Sequence, residues 1–154
     1  MRISTKIDYA LRAMAQLASG GAEPMKAEHI ARSQRIPLKF LCAILNELRR
    51  DHLVRSQRGP EGGYVLGRAA KNITLADVMR ALEGPLADVH DDSLSALAYP
   101  APASSLTDVW KAVRASLRSV LETTTVADLA SGRLPRRVRL LADAYDEAQQ
   151  TRVR

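Results

Sequence analysis

A chain of 154 residues fits a single domain, which argues against an active site built between two lobes. Hydrophobic residues make up 46% but aromatics only 4%, so the chain is expected to fold around an aliphatic, mainly helical core. The net charge of +6 sits entirely in the first 85 residues, where 14 Lys and Arg face 8 Asp and Glu against 9 and 9 in the remainder; that asymmetry points to a polyanionic partner.

Ile3, Ile7, Leu11, Met14 and Leu17 fall on one stripe of a first helix, capped by Ser4 or Thr5 and stopped by Gly20, Gly21 and Pro24. A short helix over about 26–33 follows, with Ala27 and Ile30 inward. The turn Gln34-Arg-Ile-Pro37 then leads into a third helix, about 37–51, with Pro37 in its first turn. Its Leu41, Ile44, Leu45 and Leu48 obey the i, i+3, i+4, i+7 rule and should face the core. At about 100° per residue, Lys39, Ala43, Asn46 and Arg50 then form the opposite, polar and basic face. Phe40 borders that face, where it could touch a thymine methyl or pack at the core edge.

Two β-prone runs, Leu53 to Gln57 and Tyr64 to Leu66, flank Arg58-Gly-Pro-Glu-Gly-Gly63 and read as a hairpin. Helix, tight turn, helix and hairpin make a winged helix-turn-helix, in which the helix after the turn enters the major groove and the hairpin tip follows the backbone or minor groove. The candidate DNA-binding residues are therefore Lys39, Phe40, Ala43, Asn46, Arg50, Arg58 and Gly62. Asn46 has the chemistry for a bidentate contact to adenine, and Arg58 stands where a minor-groove insertion would place it.

Thr74 with Asp77, Ser105 with Asp108 and Thr125 with Asp128 read as capping boxes opening helices at about 75–83, 106–122 and 126–131. The stretch 86–104 looks irregular, and the chain is again helical from about 135 to 150. Leu106, Trp110, Val113, Leu117 and Val120, spaced 4, 3, 4 and 3, form a coiled-coil seam and are the candidate dimerisation residues. The domain plan is a DNA-binding unit over 1–85, an effector or partner loop over 86–104, a dimerisation helix and short helix over 105–131, and a helical tail over 132–154.

Other chemistries find little footing. Gly59, Gly62 and Gly63 lack the Lys-Ser/Thr of a phosphate-binding loop. The lone Cys42 cannot form an internal disulfide or a thiolate cage, and packing as an inert, part-buried thiol suits it better than a redox role. His90, Asp91, Asp92 and Asp8 are better read as solvated groups than as metal ligands, and no nucleophile has a paired base, so no enzyme, metal or cofactor is expected. No apolar run approaches a membrane span and no signal peptide is recognisable, so a cytoplasmic location is expected.

The opening Met1-Arg-Ile-Ser-Thr-Lys-Ile-Asp-Tyr-Ala-Leu-Arg-Ala-Met14, the wing Leu53-Val-Arg-Ser-Gln-Arg-Gly-Pro-Glu-Gly-Gly-Tyr-Val-Leu66, Ile73-Thr-Leu-Ala-Asp-Val78, Leu82-Glu-Gly-Pro85 and Thr124-Thr-Val-Ala-Asp-Leu129 together resemble the Rrf2 family of bacterial winged-helix regulators. The resemblance runs from Met1 to about Ser131. It implies a homodimeric repressor that binds double-stranded DNA at a palindromic operator through the third helix and the wing. Many members hold an iron–sulfur cluster on three cysteines before the long helix; 86–104 contains none, which is similar to the cluster-free branch. The same branch implies a second class of function, a protein-interaction regulator in which 86–104 and the long helix bind an enzyme such as a cysteine synthase on which DNA binding depends; apart from the resemblance, a small-molecule effector is the other candidate partner.

Overall fold

The computed structural model describes residues 3–85 and 98–152. Helix α1 (Thr5–Ser19) buries Ile7, Ala10, Ala13, Met14 and Leu17, and the Ser4 hydroxyl accepts from the Ile7 amide at 3.2 Å to cap it. Helices α2 (Ala27–Gln34) and α3 (Leu38–Arg50) pack on it. Between them Arg35 adopts a left-handed conformation (φ 52°, ψ 47°), which turns the chain sharply enough for the Ile36 amide to reach the Ala31 carbonyl at 2.9 Å. Ile36 thereby enters the core at 4% exposure, locking the two helices at a fixed angle. The inward stripe of α3 is as expected: Leu41, Ile44, Leu45 and Leu48 are all buried.

Strands β1 (Val54–Gln57) and β2 (Gly63–Leu66) pair antiparallel, Val54 opposite Leu66 and Gln57 opposite Gly63. A third backbone segment joins them. The Met25 amide donates to the Tyr64 carbonyl at 2.9 Å and the Tyr64 amide to the Met25 carbonyl at 2.7 Å, so the wing is sutured to the chain just before α2. Gly63 makes this approach possible, because a Cβ there would lie 2.5 Å from the Met25 carbonyl oxygen.

Helix α4 (Leu75–Glu83) opens with the expected capping box: Thr74 Oγ1 accepts from the Asp77 amide at 3.1 Å, and Asp77 Oδ2 accepts from the Thr74 amide at 3.0 Å. Helix α6 (Val126–Ser131) repeats the device with Thr125 and Asp128. The two N-termini are laced together, Leu75 N–H to Thr124 O at 2.9 Å and Val126 N–H to Ile73 O at 2.8 Å. Val126 joins the core at 1% exposure and α6 packs across α1. The short helix, grouped in sequence with the long one before it, thus touches the winged unit.

Helix α5 (Leu106–Leu121) begins differently from expectation. Ser105 already has helical angles (φ −72°, ψ −7°), and its side chain makes no capping hydrogen bond. An N-cap hydroxyl reaches back to the third amide only from extended backbone, and the turn over 101–105 removes that geometry. Helix α7 (Arg136–Arg152) follows α6. Among the described helices none is long and apolar enough to cross a membrane.

Asp77 also accepts from Arg68 at 2.8 Å. Desolvation raises its pKa, but the two Thr74 hydrogen bonds and the Arg68 charge together outweigh that and hold the carboxyl below its ordinary value. A depressed carboxylate stabilises the fold fully above its unfolded pKa, and the contribution is lost as pH falls through the folded one. Asp77→Asn should therefore cost stability of about 1 kcal/mol at neutral pH, a deficit that shrinks below about pH 4. Urea unfolding of both proteins from pH 7 to pH 3 checks this; a deficit that stays constant with pH contradicts it.

Candidate nucleic-acid interface

The residues opposite the buried stripe of α3 reach solvent together. Lys39, Phe40, Ala43, Asn46 and Arg50 are all exposed, as is Arg49 in the last turn. Phe40 is 64% exposed and lines a groove between α1 and α3 with Thr5, Tyr9 and Ile44. The neighbouring acid on this helix is neutralised, since Glu47 accepts from Lys6 Nζ at 2.7 Å, and the same ammonium donates to the Leu82 carbonyl at 3.2 Å. That ion pair ties α1, α3 and α4 into one rigid support and leaves the outer face of α3 with Lys39, Arg49 and Arg50 as its charges. Half-buried Cys42 packs against the core beside this face.

The wing presents a second set. Arg55, Ser56, Gln57 and Arg58 are exposed along β1 and its shoulder, with Gly59 to Glu61 at the tip. Gly59 takes φ 106°, and the Gly62 amide donates to its carbonyl at 2.9 Å. A Cβ on Gly62 would sit 2.3 Å from the Gln57 carbonyl oxygen. Gly62 therefore has its amide committed within the turn, and what it offers a partner is the narrowness of the tip that carries Arg58.

Besides Arg49, two exposed cations near this surface are not among the residues expected from the sequence. Arg35 occupies the left-handed position between α2 and α3, and Arg55 stands on β1. A left-handed arginine has no sequence signature, since that region favours Gly or Asn. Arg55 was available from strand alternation next to buried Val54.

Among the described residues no three His, Cys, Asp or Glu side chains gather where they could hold a metal ion. His90, Asp91 and Asp92 lie outside the described residues. The arrangement as a whole is a helix with an exposed basic face beside a hairpin with exposed arginines, the two element types that enter DNA grooves.

The comparisons with known proteins agree. A family model described as "Rrf2: Iron-dependent Transcriptional regulator" matches residues 3–132. The chain belongs to the Rrf2 family. It is 38% identical over 132 residues to the HTH-type transcriptional regulator CymR of Bacillus subtilis, covering 85% of this chain and 91% of that protein. A Mycobacterium tuberculosis protein named among the HTH-type transcriptional regulators, Rv1287, is 52% identical over 153 residues, covering 99% of this chain and 95% of its own. The solved structure of CymR, the global cysteine regulator of B. subtilis, superposes with a TM-score of 0.73 at 37% identity, covering 85% of this chain and 97% of that one. The T. potens IscR structure gives 0.66 at 33%, covering 86% and 88%.

The protein is a DNA-binding transcriptional regulator with a winged-helix fold, as the Rrf2 resemblance implied. These names give no support to the alternative of a regulator working chiefly through an enzyme partner. The iron in the family's description does not find the thiolate donors of a cluster here: the chain has one cysteine, and Cys42 lies on α3 against the core.

Proposed function

We propose that this Rrf2 regulator is a cytoplasmic, non-enzymatic repressor that acts as a homodimer on a palindromic operator. Lys39, Asn46 and Arg50 of α3 read the major groove, Phe40 and Ala43 pack on it, and Arg58 is carried on the Gly62 tip to the flanking minor groove or backbone. The observation that carries this reading is that Lys39, Phe40, Ala43, Asn46 and Arg50 are exposed together on the face of α3 opposite its buried Leu41, Ile44, Leu45 and Leu48. Selection from a random pool of DNA duplexes tests it. Enrichment of a two-fold symmetric motif with half-sites about one helical turn apart is expected; recovery of no motif, or of an asymmetric one, overturns it.

The dimer reading rests on α5. Its seam of Leu106, Trp110, Val113, Leu117 and Val120 is amphipathic, yet among the described residues none of α5 is buried. Val109 and Val113 are 50% and 43% exposed. Leu106, Trp110, Leu117 and Val120 are only half-buried, and a stripe that its own subunit covers in part is what a partner's equivalent helix completes. In this plan residues 1–85 with α6 form the DNA-binding unit, α5 the dimerisation arm, and 86–104 the segment available to an effector. Leu117→Asp should shift sedimentation at micromolar concentration from dimer to monomer, because a carboxylate in an apolar seam is costly. A variant that remains dimeric, or a wild-type chain that is monomeric, removes α5 from the interface.

The chain is also proposed to work without an iron–sulfur cluster. Protein purified anaerobically is expected to be colourless and free of sulfide.

A further inference from the structure

Helix α7 lies beyond residues 3–132, the part that the family model matches. Its side chains are unevenly distributed. Val138, Leu141, Tyr145 and Ala148 are spaced 3, 4 and 3, with Leu140 and Ala144 on the shoulder, so one broad face is apolar. Leu140, Leu141 and Tyr145 are 56%, 50% and 64% exposed, far more than a helix packed on its own subunit would leave.

Up to Glu147, with Arg152 the exception at its end, the charges of α7 run against its dipole. Arg136, Arg137 and Arg139 occupy the N-terminal part, where the helix end is already positive, and Asp143, Asp146 and Glu147 follow toward the negative end. Within one helix this order is unfavourable. Beside an antiparallel copy it becomes favourable, since each basic half, with its positive helix end, lies along the acidic half of the other. The mid-point of the two charged groups falls at Leu141, in the middle of the apolar face.

Leu141 also lines a groove of about 810 Å³ together with Ile3, Leu11, Met79, Val113 and Leu117, so the apolar face of α7 is continuous with the seam of α5. We infer that α7 is a second dimerisation element, which pairs antiparallel with α7 of another copy of this chain about an axis near Leu141. This inference rests on the homodimer reading above and extends it to a helix that the family pattern does not include. Charge order selects the occupant: a parallel helix would set arginines against arginines, and an acidic or basic partner would satisfy only one half.

Disulfide trapping in the full-length chain tests it. With Cys42→Ser as background, Leu141→Cys should cross-link to itself under mild oxidation, because residues at the axis approach within the few ångströms a disulfide needs. Ala148→Cys should not, since seven residues from the axis two such positions stand about 20 Å apart along the helices. Leu141→Glu should raise the dimer dissociation constant by at least about tenfold while the chain keeps its wild-type helical content by circular dichroism. A wild-type chain that is monomeric overturns the α5 reading and this one together. A dimer in which Leu141→Cys stays reduced overturns this one alone, and Ala148→Cys linking as readily as Leu141→Cys overturns the antiparallel order.

Discussion

Replacing Lys39, Asn46 and Arg58 together by alanine should abolish preference for the operator while leaving the protein folded. All three side chains are exposed and, among the described residues, make no ion pair or side-chain hydrogen bond, so thermal stability should change by no more than the usual surface value of about 0.5 kcal/mol. On DNA the loss is large. A bidentate amide contact to adenine discriminates by about 1–3 kcal/mol, and the two cations each contribute through the phosphates or groove edge. Together they should weaken binding to the preferred site at least about a hundredfold, which is roughly 3 kcal/mol. Retention of tight, selective binding would place the DNA on a surface other than α3 and the wing.

Leu45→Ala, one residue from Asn46 in sequence but on the buried side of the same helix, should produce the converse. Leu45 is wholly buried in the cluster that includes Leu41, Leu48, Ile7, Met14 and Ile30. Truncation there removes transfer energy and leaves a cavity, at a cost of about 2–5 kcal/mol. Against a typical total of about 5–15 kcal/mol, that is a large part of the stability. The fraction that remains folded should still distinguish operator from unrelated DNA, because the outer face is intact. Denaturant unfolding combined with binding measured per folded molecule checks both halves; unchanged stability would show that the α3 stripe does not support the core.

These opposite consequences explain why α3 was legible in the sequence. A helix with four leucine or isoleucine side chains at i, i+3, i+4 and i+7 fixes its own rotation, so its outward residues follow by geometry. The Thr74 and Thr125 capping boxes were legible for a similar local reason, because hydroxyl and carboxylate lie three residues apart and satisfy each other's backbone donors. Ser105 shows where such reasoning stops. The same spacing with Asp108 gave no box, because the preceding turn had already set Ser105 in helical angles.

Other features depend on distant parts of the chain. The Met25 contribution to the wing is one residue long, follows Gly21 and Pro24, and has no alternation to reveal it. The lacing of α4 to α6 joins residues about fifty positions apart, and only the folded chain shows that Val126 completes the core beneath α1. On the candidate DNA face the sequence supplied the helix and the hairpin, but it offered two roles for Phe40 and none for Arg35. Phe40 shares a groove with Thr5, Lys6 and Tyr9 of α1, a neighbourhood that spacing along one helix does not encode.

The division of labour between helix and wing is open to one direct measurement. Binding of the wild-type protein, Asn46→Ala and Arg58→Ala should be followed across a salt series on the selected operator and on a duplex lacking it. Asn46→Ala should lose about 1–3 kcal/mol on the operator alone with its salt dependence unchanged, whereas Arg58→Ala should weaken both complexes and lower the salt slope by about one charge. Equal losses on the two duplexes for Asn46→Ala, with a reduced slope, would contradict base reading by α3.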